Sequence, residues 1–347
     1  MRRFLRDAAA AIAWATVAAG AAHAADAEVT LRLHHFLPAD SNTQRNVMEV
    51  WEKLVETNSG GRIDVQIFPS MQLGGKPPQL FDQARDGIVD VSWTLLGYTP
   101  GRFPISEVFE LPFMSGTAVQ TTDALQEFQA KYLAEELGQV HVLALHTPAG
   151  YKFHMATGPI TGLDDLRGLK IRAPSRAMTD TLNALGATAV GMPVTEVAQA
   201  MISRVIDGAQ LPWEVVGTLH VEDYTNSHTE IGSENGGIST AVMALVMNKA
   251  RYDALPEDLR AAIDASSGAT MARLAAEGFD RSEAETRRAY LERGAQINVI
   301  PAGELETWRQ ATAPVIEAWV KAMDARGLDG QAMLDDARAM LARAGAK

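Results

Sequence analysis

The chain has 347 residues, of which 47% are hydrophobic and 21% charged, a balance that is typical of a globular protein and excludes a disordered one. Its formal net charge of −12 at pH 7 disfavours nucleic acid as a partner, so an anionic ligand would need a local positive site. The absence of cysteine excludes disulfides, thiol catalysis and cysteine-ligated metals. This length accommodates two domains of ordinary size.

The first residues have the features of an export signal. Three arginines lie within the first six residues, the apolar stretch from Ala8 to Ala19 is too short to span a bilayer, and Ala22-His23-Ala24 offers small residues for cleavage. We expect a secretory signal peptide over residues 1–24 and a mature protein that begins at Ala25. The alternative is an N-terminal amphipathic or membrane-anchored helix. Arg2-Arg3-Phe4-Leu5 matches a twin-arginine signal only in part, which leaves the export route open.

The first part of the mature chain alternates strand and helix patterns. Val29, Leu31 and Leu33 alternate with polar residues as in a half-buried strand, and the helix that follows is capped by Ser41 and stopped by Gly60-Gly61. Further predicted elements are a strand at 63–67, a helix at 79–85, a strand at 88–93, a helix at 117–137 and a strand at 140–145.

A second block repeats this alternation. Its predicted elements are a strand at 151–156, a short helix at 163–166, a strand at 169–172, a helix at 175–185, a helix from Thr195 with Val197, Met201 and Val205 inward, and a buried strand at 238–247. Residues 256–295 are helical in pattern, either as one long helix between two domains or as two helices broken near Ser266-Ser267-Gly268. A strand at 296–300 and helices at 303–325 and 330–342 follow. Repeated α/β units in two blocks predict an α/β fold of two domains with a cleft between them.

Motifs of common enzyme classes are missing. The eight histidines form no His-Glu-x-x-His motif, and adjacent His34 and His35 would face opposite sides of a strand, so no metal site is predicted. The sequence has no Gly-x-Ser-x-Gly motif and no glycine-rich nucleotide loop, so no cofactor is predicted. Asp164-Asp165 could form an acid–base pair, but a helix N-terminus explains these residues better. We therefore expect a protein that is not an enzyme.

A series of short segments follows an order and spacing that are typical of one known family. The segments are His35-Phe36-Leu37-Pro38, Phe68-Pro69 with Leu73-Gly74-Gly75, Asp86-Gly87-Ile88-Val89-Asp90, Pro100-Gly101-Arg102-Phe103-Pro104, Phe109-Glu110-Leu111-Pro112-Phe113, the stretch from Leu163 to Pro174, Asp207-Gly208, and Met247-Asn248 before Leu255-Pro256. Together they resemble the DctP-type solute receptors of tripartite ATP-independent periplasmic (TRAP) transporters, over nearly all of the mature chain.

The resemblance implies a periplasmic-binding-protein-like fold with a cleft, hinge strands and a long bridging helix. We expect domain I over residues 27–149 and 238–277, and domain II over residues 150–237 and 278–347. The resemblance also implies a monomeric periplasmic receptor that captures an organic acid for the membrane permease subunits of a TRAP transporter. The alternatives are a secreted lyase or hydrolase that acts on a carboxylate, and a receptor that feeds a sensor kinase.

The Lys-Ile-Arg segment of this family implies that Arg172 binds the ligand carboxylate. A planar guanidinium grips a carboxylate through two parallel hydrogen bonds, for which lysine is a poorer choice. The alternative is an ordinary arginine at a strand end, solvated or paired with Asp164 or Asp165. Lys152 is expected, by the same resemblance, to be a second anion contact, although a lysine on a strand is usually only solvated.

One position departs from the family. Leu211 stands where many relatives have an asparagine that contacts the ligand, and an unpaired buried hydroxyl costs about 1–3 kcal/mol. We therefore expect a monocarboxylate with an apolar or aromatic body, or a 2-oxo acid, in place of a sugar acid. Asn235 is expected to bind the ligand, to form a hinge turn, or both. Aromatic residues expected to line the cleft, each with a core position as the alternative, are Phe36, Trp93, Phe153 and Trp213.

Overall fold

The computed structural model describes residues 27–233 and 236–346. The signal peptide predicted over residues 1–24 lies outside them. The strands are β1 (Val29–His34), β2 (Ile63–Phe68), β3 (Val91–Leu95), β4 (Val140–His146), β5 (Lys152–Met155), β6 (Lys170–Ala173), β7 (Thr188–Gly191), β8 (Gly208–Leu211), β9 (Ser227–Gly232), β10 (Met243–Asn248) and β11 (Ile297–Pro301). The α-helices are α1 (Glu49–Asn58), α2 (Leu80–Arg85), α3 (Ala118–Tyr132), α4 (Arg176–Ala184), α5 (Val197–Ile202), α6 (Trp213–Thr218), α7 (Lys249–Asp253), α8 (Glu257–Ala265), α9 (Gly268–Glu292), α10 (Leu305–Asp324) and α11 (Gly330–Gly345).

The strands within the described residues form two sheets, as the predicted two-domain α/β fold requires. The first sheet has the order β2-β1-β3-β10-β4, in which β1 runs parallel to β2 and β3 while β10 is antiparallel to both of its neighbours. The second sheet has the order β11-β9-β5-β8-β6-β7. The chain therefore leaves the first sheet after β4, builds most of the second, and returns to the first in β10. None of the described helices is long and apolar enough to cross a membrane.

Local sequence signals account for where several helices begin. The hydroxyl of Thr117 accepts a hydrogen bond from the backbone N–H of Gln120 at the start of α3 (3.1 Å). The hydroxyl of Ser175 accepts from the N–H of Met178 at the start of α4 (3.4 Å). Each of these residues satisfies an N–H group that a helix end leaves without a backbone partner.

Two connecting segments pass side by side between the sheets. The N–H of Tyr151 donates to the carbonyl of Ser239 (2.7 Å), and the N–H of Ile238 donates to the carbonyl of Tyr151 (3.2 Å). Gly150 and Gly237 allow this approach, because a Cβ added at Gly237 would lie 2.3 Å from the carbonyl carbon of Gly150. The long helix α9 packs against β4 on one side and α6 on the other, so it also connects the two sheets.

The structure departs from the sequence predictions at several elements. The helical run over 256–295 is broken between α8 and α9, as the second of the two alternatives proposed. Val205 was expected to face inward but is 49% exposed, because α5 ends at Ile202. The short elements β7, β8, α6 and β9 were not predicted. The domain boundaries remain a prediction. The structure shows that α11, in the predicted domain II, packs on α3, in the predicted domain I.

We predict that Gly237→Ala lowers the free energy of unfolding by about 1–3 kcal/mol. The added methyl group would overlap the backbone of Gly150 and Tyr151, which could move only together with the rest of that connecting segment. Chemical denaturation measured by circular dichroism tests this. Gly303→Ala is the matched control, since a Cβ there meets nothing within 4 Å. Equal stability of the two variants would contradict the close crossing.

Candidate functional site

Arg172 is a buried cation that is held by backbone carbonyls. Its side chain lies on β6, 1% exposed, where Nε donates to the carbonyl of Met192 (3.0 Å) and a terminal nitrogen donates to the carbonyl of Gln210 (3.2 Å). No carboxylate of the described residues forms an ion pair with it. Asp164, the partner considered from the sequence, pairs instead with Arg167 at 3.0 Å. A buried charge without a counter-ion costs several kcal/mol, so the site favours an anion.

The guanidinium lies at a cavity between the two sheets. The cavity measures about 20 Å³, room for about one water molecule, so a larger ligand can enter only when the lining residues separate. The lining residues on the side of the first sheet are Phe36, Leu37, Trp93, Leu95, Tyr98, Pro148 and Met243. Those on the side of the second sheet are Tyr151, Arg172, Val194, Leu211, Pro212, Glu214 and Val215.

Aromatic rings make up much of this lining. The ring of Phe36 stacks on that of Trp93 with centroids 5.0 Å apart and lies 5.6 Å from that of Tyr98. The indole N–H of Trp93 lies 2.9 Å from Nε2 of His146. Burial lowers the pKa of His146 to about 3, so its imidazole is neutral and can accept that hydrogen bond. Together with Leu211, these rings give the cavity an apolar body.

Two tyrosines add hydroxyl groups beside Arg172. The hydroxyl of Tyr98 accepts a hydrogen bond from the N–H of Val194 (3.0 Å). Burial raises the pKa of Tyr98 above its usual value, and the positive charge of Arg172 opposes this only in part. Burial likewise raises the pKa of Tyr151. Both phenols therefore keep their protons at neutral pH and can donate to an anion.

The sequence-predicted residues separate into two groups. Arg172, Phe36, Trp93 and Leu211 come together in the cavity lining. Lys152, Phe153 and Trp213 are not among the lining residues of this cavity, so their contact with a ligand remains a prediction. Asn235 lies outside the described residues.

Each of these three residues has a partner that does not line the cavity. The ammonium of Lys152 forms an ion pair with Glu283 of α9, and both side chains are fully buried. The ring of Phe153 lies 6.1 Å from that of Trp308. The indole of Trp213 donates to Glu230 (2.9 Å), so neither aromatic residue is available to a ligand in the cavity.

Sequence reasoning missed three polar residues of the site: Tyr98, Tyr151 and Glu214. Tyr98 begins a proline- and glycine-rich loop, and Tyr151 is the first residue of the strand predicted at 151–156 and directly precedes β5. Glu214 directly follows Trp213, the aromatic residue that was predicted to line the cleft. Within the described residues no group of three or more His, Asp or Glu side chains is placed to bind a metal ion.

Comparisons with known proteins agree on one family. The family described as bacterial extracellular solute-binding protein, family 7 (DctP) matches residues 33–322. A TRAP solute-binding protein of known structure from Rhodoferax ferrireducens T118, in complex with copurified benzoate, is 43% identical, with a TM-score of 0.88 over 91% of this chain and 98% of that one.

Two further solved structures extend this likeness. A marine metagenome TRAP solute-binding protein specific for aromatic acid ligands, with 3-hydroxybenzoate, is 40% identical, with a TM-score of 0.88 over 91% of this chain and 99% of that one. A TRAP periplasmic solute-binding protein from Bordetella bronchiseptica, with bound (R)- and (S)-mandelate, is 26% identical, with a TM-score of 0.84 over 90% and 99% of the two chains.

We predict that Lys152→Met lowers the free energy of unfolding by about 3–5 kcal/mol, because it leaves the buried carboxylate of Glu283 without its cation. The double variant Lys152→Met, Glu283→Leu should recover most of this loss, since buried ion pairs are often replaced by apolar residues at little cost. Urea denaturation of the single and double variants measures both effects. If both variants lose the same stability, the ion pair is not what holds Lys152 in place.

Proposed function

The chain belongs to the DctP family of bacterial extracellular solute-binding proteins, and we propose that it is the receptor that binds an aromatic monocarboxylate for a TRAP transporter. The observation that carries this proposal is Arg172, a buried guanidinium with no carboxylate partner among the described residues, at the end of an aromatic cavity. The ligand carboxylate supplies the missing counter-ion through charge-assisted hydrogen bonds. The bound benzoate of the Rhodoferax relative supports the same ligand class.

The apolar residues that line the cavity indicate the chemical character of the part of the ligand beyond its carboxylate. Phe36, Trp93 and Leu211 offer ring faces and methyl groups but no hydrogen-bonding groups that point along the ligand's length. A sugar acid would bury several hydroxyl groups here without partners, at about 1–3 kcal/mol each. A benzoate-like ring gains from burial and from stacking, so aromatic acids are favoured over sugar acids and over short aliphatic 2-oxo acids.

Binding is coupled to closure of the two halves of the molecule. Tyr98, beside the first sheet, is hydrogen-bonded to Val194 beside the second (3.0 Å). Gly97 likewise packs against Ser175, the residue that caps α4, so closely that a Cβ added at Gly97 would lie 2.4 Å from the Cβ of Ser175. Because the cavity is smaller than any organic acid, the ligand enters when these contacts open, and it is enclosed when they form again.

Membership of the family supports a proposal for the biological setting. We propose that the protein is exported by its signal peptide, works in the periplasm as a monomer, and releases its ligand chemically unchanged to the permease subunits. A closed, ligand-bound surface gives those subunits a way to distinguish the loaded receptor from the empty one.

We predict that Arg172→Ala weakens benzoate binding by at least about 30-fold, because loss of one partner of a buried charge pair costs about 2–5 kcal/mol. Arg172→Lys should weaken it too, since an ammonium cannot form the two parallel bonds. Calorimetric titration of the mature protein with benzoate and with glucuronate measures this.

Arg167→Ala is the matched control, because that arginine is 77% exposed and pairs only with Asp164. It should leave benzoate affinity unchanged. Unaltered affinity in both Arg172 variants, or preferential binding of glucuronate by the wild type, would contradict the proposed function.

A further inference from the structure

Glu214 is a carboxyl group of the cavity that has no assigned partner. It is the second residue of α6 and lines the same cavity as Arg172, Tyr98 and Tyr151, with 3% of its surface exposed. Its Oε2 atom is buried and has no hydrogen-bond partner among the described residues. A buried polar atom left without a partner costs about 1–3 kcal/mol, and here it adjoins the space where a ligand would lie.

The neighbours of Glu214 leave it without a cation. Glu283, on α9, accepts a hydrogen bond from the backbone N–H of Glu214 (3.0 Å) through one oxygen and pairs with Lys152 through the other. The charge of Lys152 is therefore already matched by Glu283. Arg172 donates to backbone carbonyls and forms no ion pair with Glu214.

Burial keeps this carboxyl group protonated. It raises the pKa of Glu214 to about 8, and the negative charge of Glu283 acts in the same direction. At neutral pH the group is then a neutral acid, which carries one O–H donor and one carbonyl acceptor. A neutral acid neither cancels the charge of Arg172 nor repels a bound carboxylate.

We propose that Glu214 binds a hydroxyl group on the ring of the ligand, while Arg172 binds the carboxylate of the same molecule. A carboxylic acid and a hydroxyl group each have a donor and an acceptor, so the two groups can satisfy each other. The ligand class is therefore a hydroxylated aromatic monocarboxylic acid. This inference rests on the proposed function and refines it from aromatic acids in general to those with a second polar group.

A pair of ligands that differ in one group tests the inference. Benzoates with a hydroxyl group at the 2, 3 or 4 position are compared by calorimetry at pH 7 with the benzoates that carry a methyl group at the same position. We expect the wild type to bind one hydroxybenzoate at least about tenfold more tightly than its methyl counterpart, because sites built to bind a hydroxyl group discriminate strongly against its absence.

Two substitutions assign this preference to Glu214. Glu214→Met keeps a similar volume without hydrogen bonding and should bring the ratio of the two dissociation constants close to one, whereas Glu214→Gln keeps a donor and an acceptor and should retain a preference. Both variants are expected to fold, because removing an unpartnered buried carboxyl group relieves a cost. Glu110→Gln is the matched control. Glu110 is also a buried carboxyl with an unpartnered Oε2, but it does not line the cavity, so the ratio should stay as in the wild type.

The outcomes separate this inference from the proposed function. If no aromatic acid binds the wild type, both fail. If benzoates bind through Arg172 but the wild type shows no preference for a hydroxyl group at any position, or Glu214→Met retains the preference, only the inference about Glu214 is overturned.

Discussion

The buried positive charge of Arg172 is the constraint on which the rest of the site depends. Backbone carbonyls of Met192 and Gln210 hold the guanidinium in position but do not neutralise it. Carbonyl dipoles stabilise a cation less completely than a carboxylate does, so the folded protein keeps an affinity for an anion in its interior. The apolar rings around the cavity strengthen this attraction, because they exclude the water that would otherwise screen it.

The two buried carboxyl groups near the site, Glu283 and Glu214, differ in whether they have a cation as partner. Lys152 and Glu283 form a closed pair behind the cavity, and Glu214 has no cation of its own. Had Glu214 been ionised beside Arg172, it would have occupied the position of the ligand's charge. Burial avoids this by favouring the neutral acid, so one residue contributes a hydrogen-bonding group without competing for the guanidinium.

Closure of the cleft and binding of the ligand both depend on the segments of the chain that connect the two sheets. The segments around Tyr151 and Ser239 are hydrogen-bonded to each other, and α9 spans both halves. The contacts that close the cleft include the hydrogen bond between Tyr98 and Val194. Connected backbone segments beside contacts that can break are the arrangement expected of a hinge. The hydroxyl group of Tyr98, which takes part in closing the cleft, is also within reach of the positive charge of Arg172.

Local sequence patterns were enough to predict the alternation of strands and helices and to place Arg172 on a strand. The positions of Phe36 and Trp93 near strand ends, and the resemblance to a known family for Leu211, predicted that these residues would line a common cleft. The short strands β7 and β8 were not predicted, because each contains an alanine and a glycine, which are depleted in strands. The helix α6 was not predicted either, because its six residues include two valines and a glycine, which are poor helix formers.

By itself, the sequence determined the α/β fold, because hydrophobic spacing is a local signal, and its resemblance to a known family predicted Arg172 as the positive residue of the site. Only the tertiary structure decided which polar residues reach the cavity. Lys152 does not reach the cavity because it pairs with Glu283. That partner lies 131 residues further along the chain, so local sequence gives no sign of the pair. Glu214 turns into it, and its protonation depends on burial by elements from distant parts of the sequence. Pairing and burial of this kind arise from long-range packing, which neither residue type nor spacing specifies.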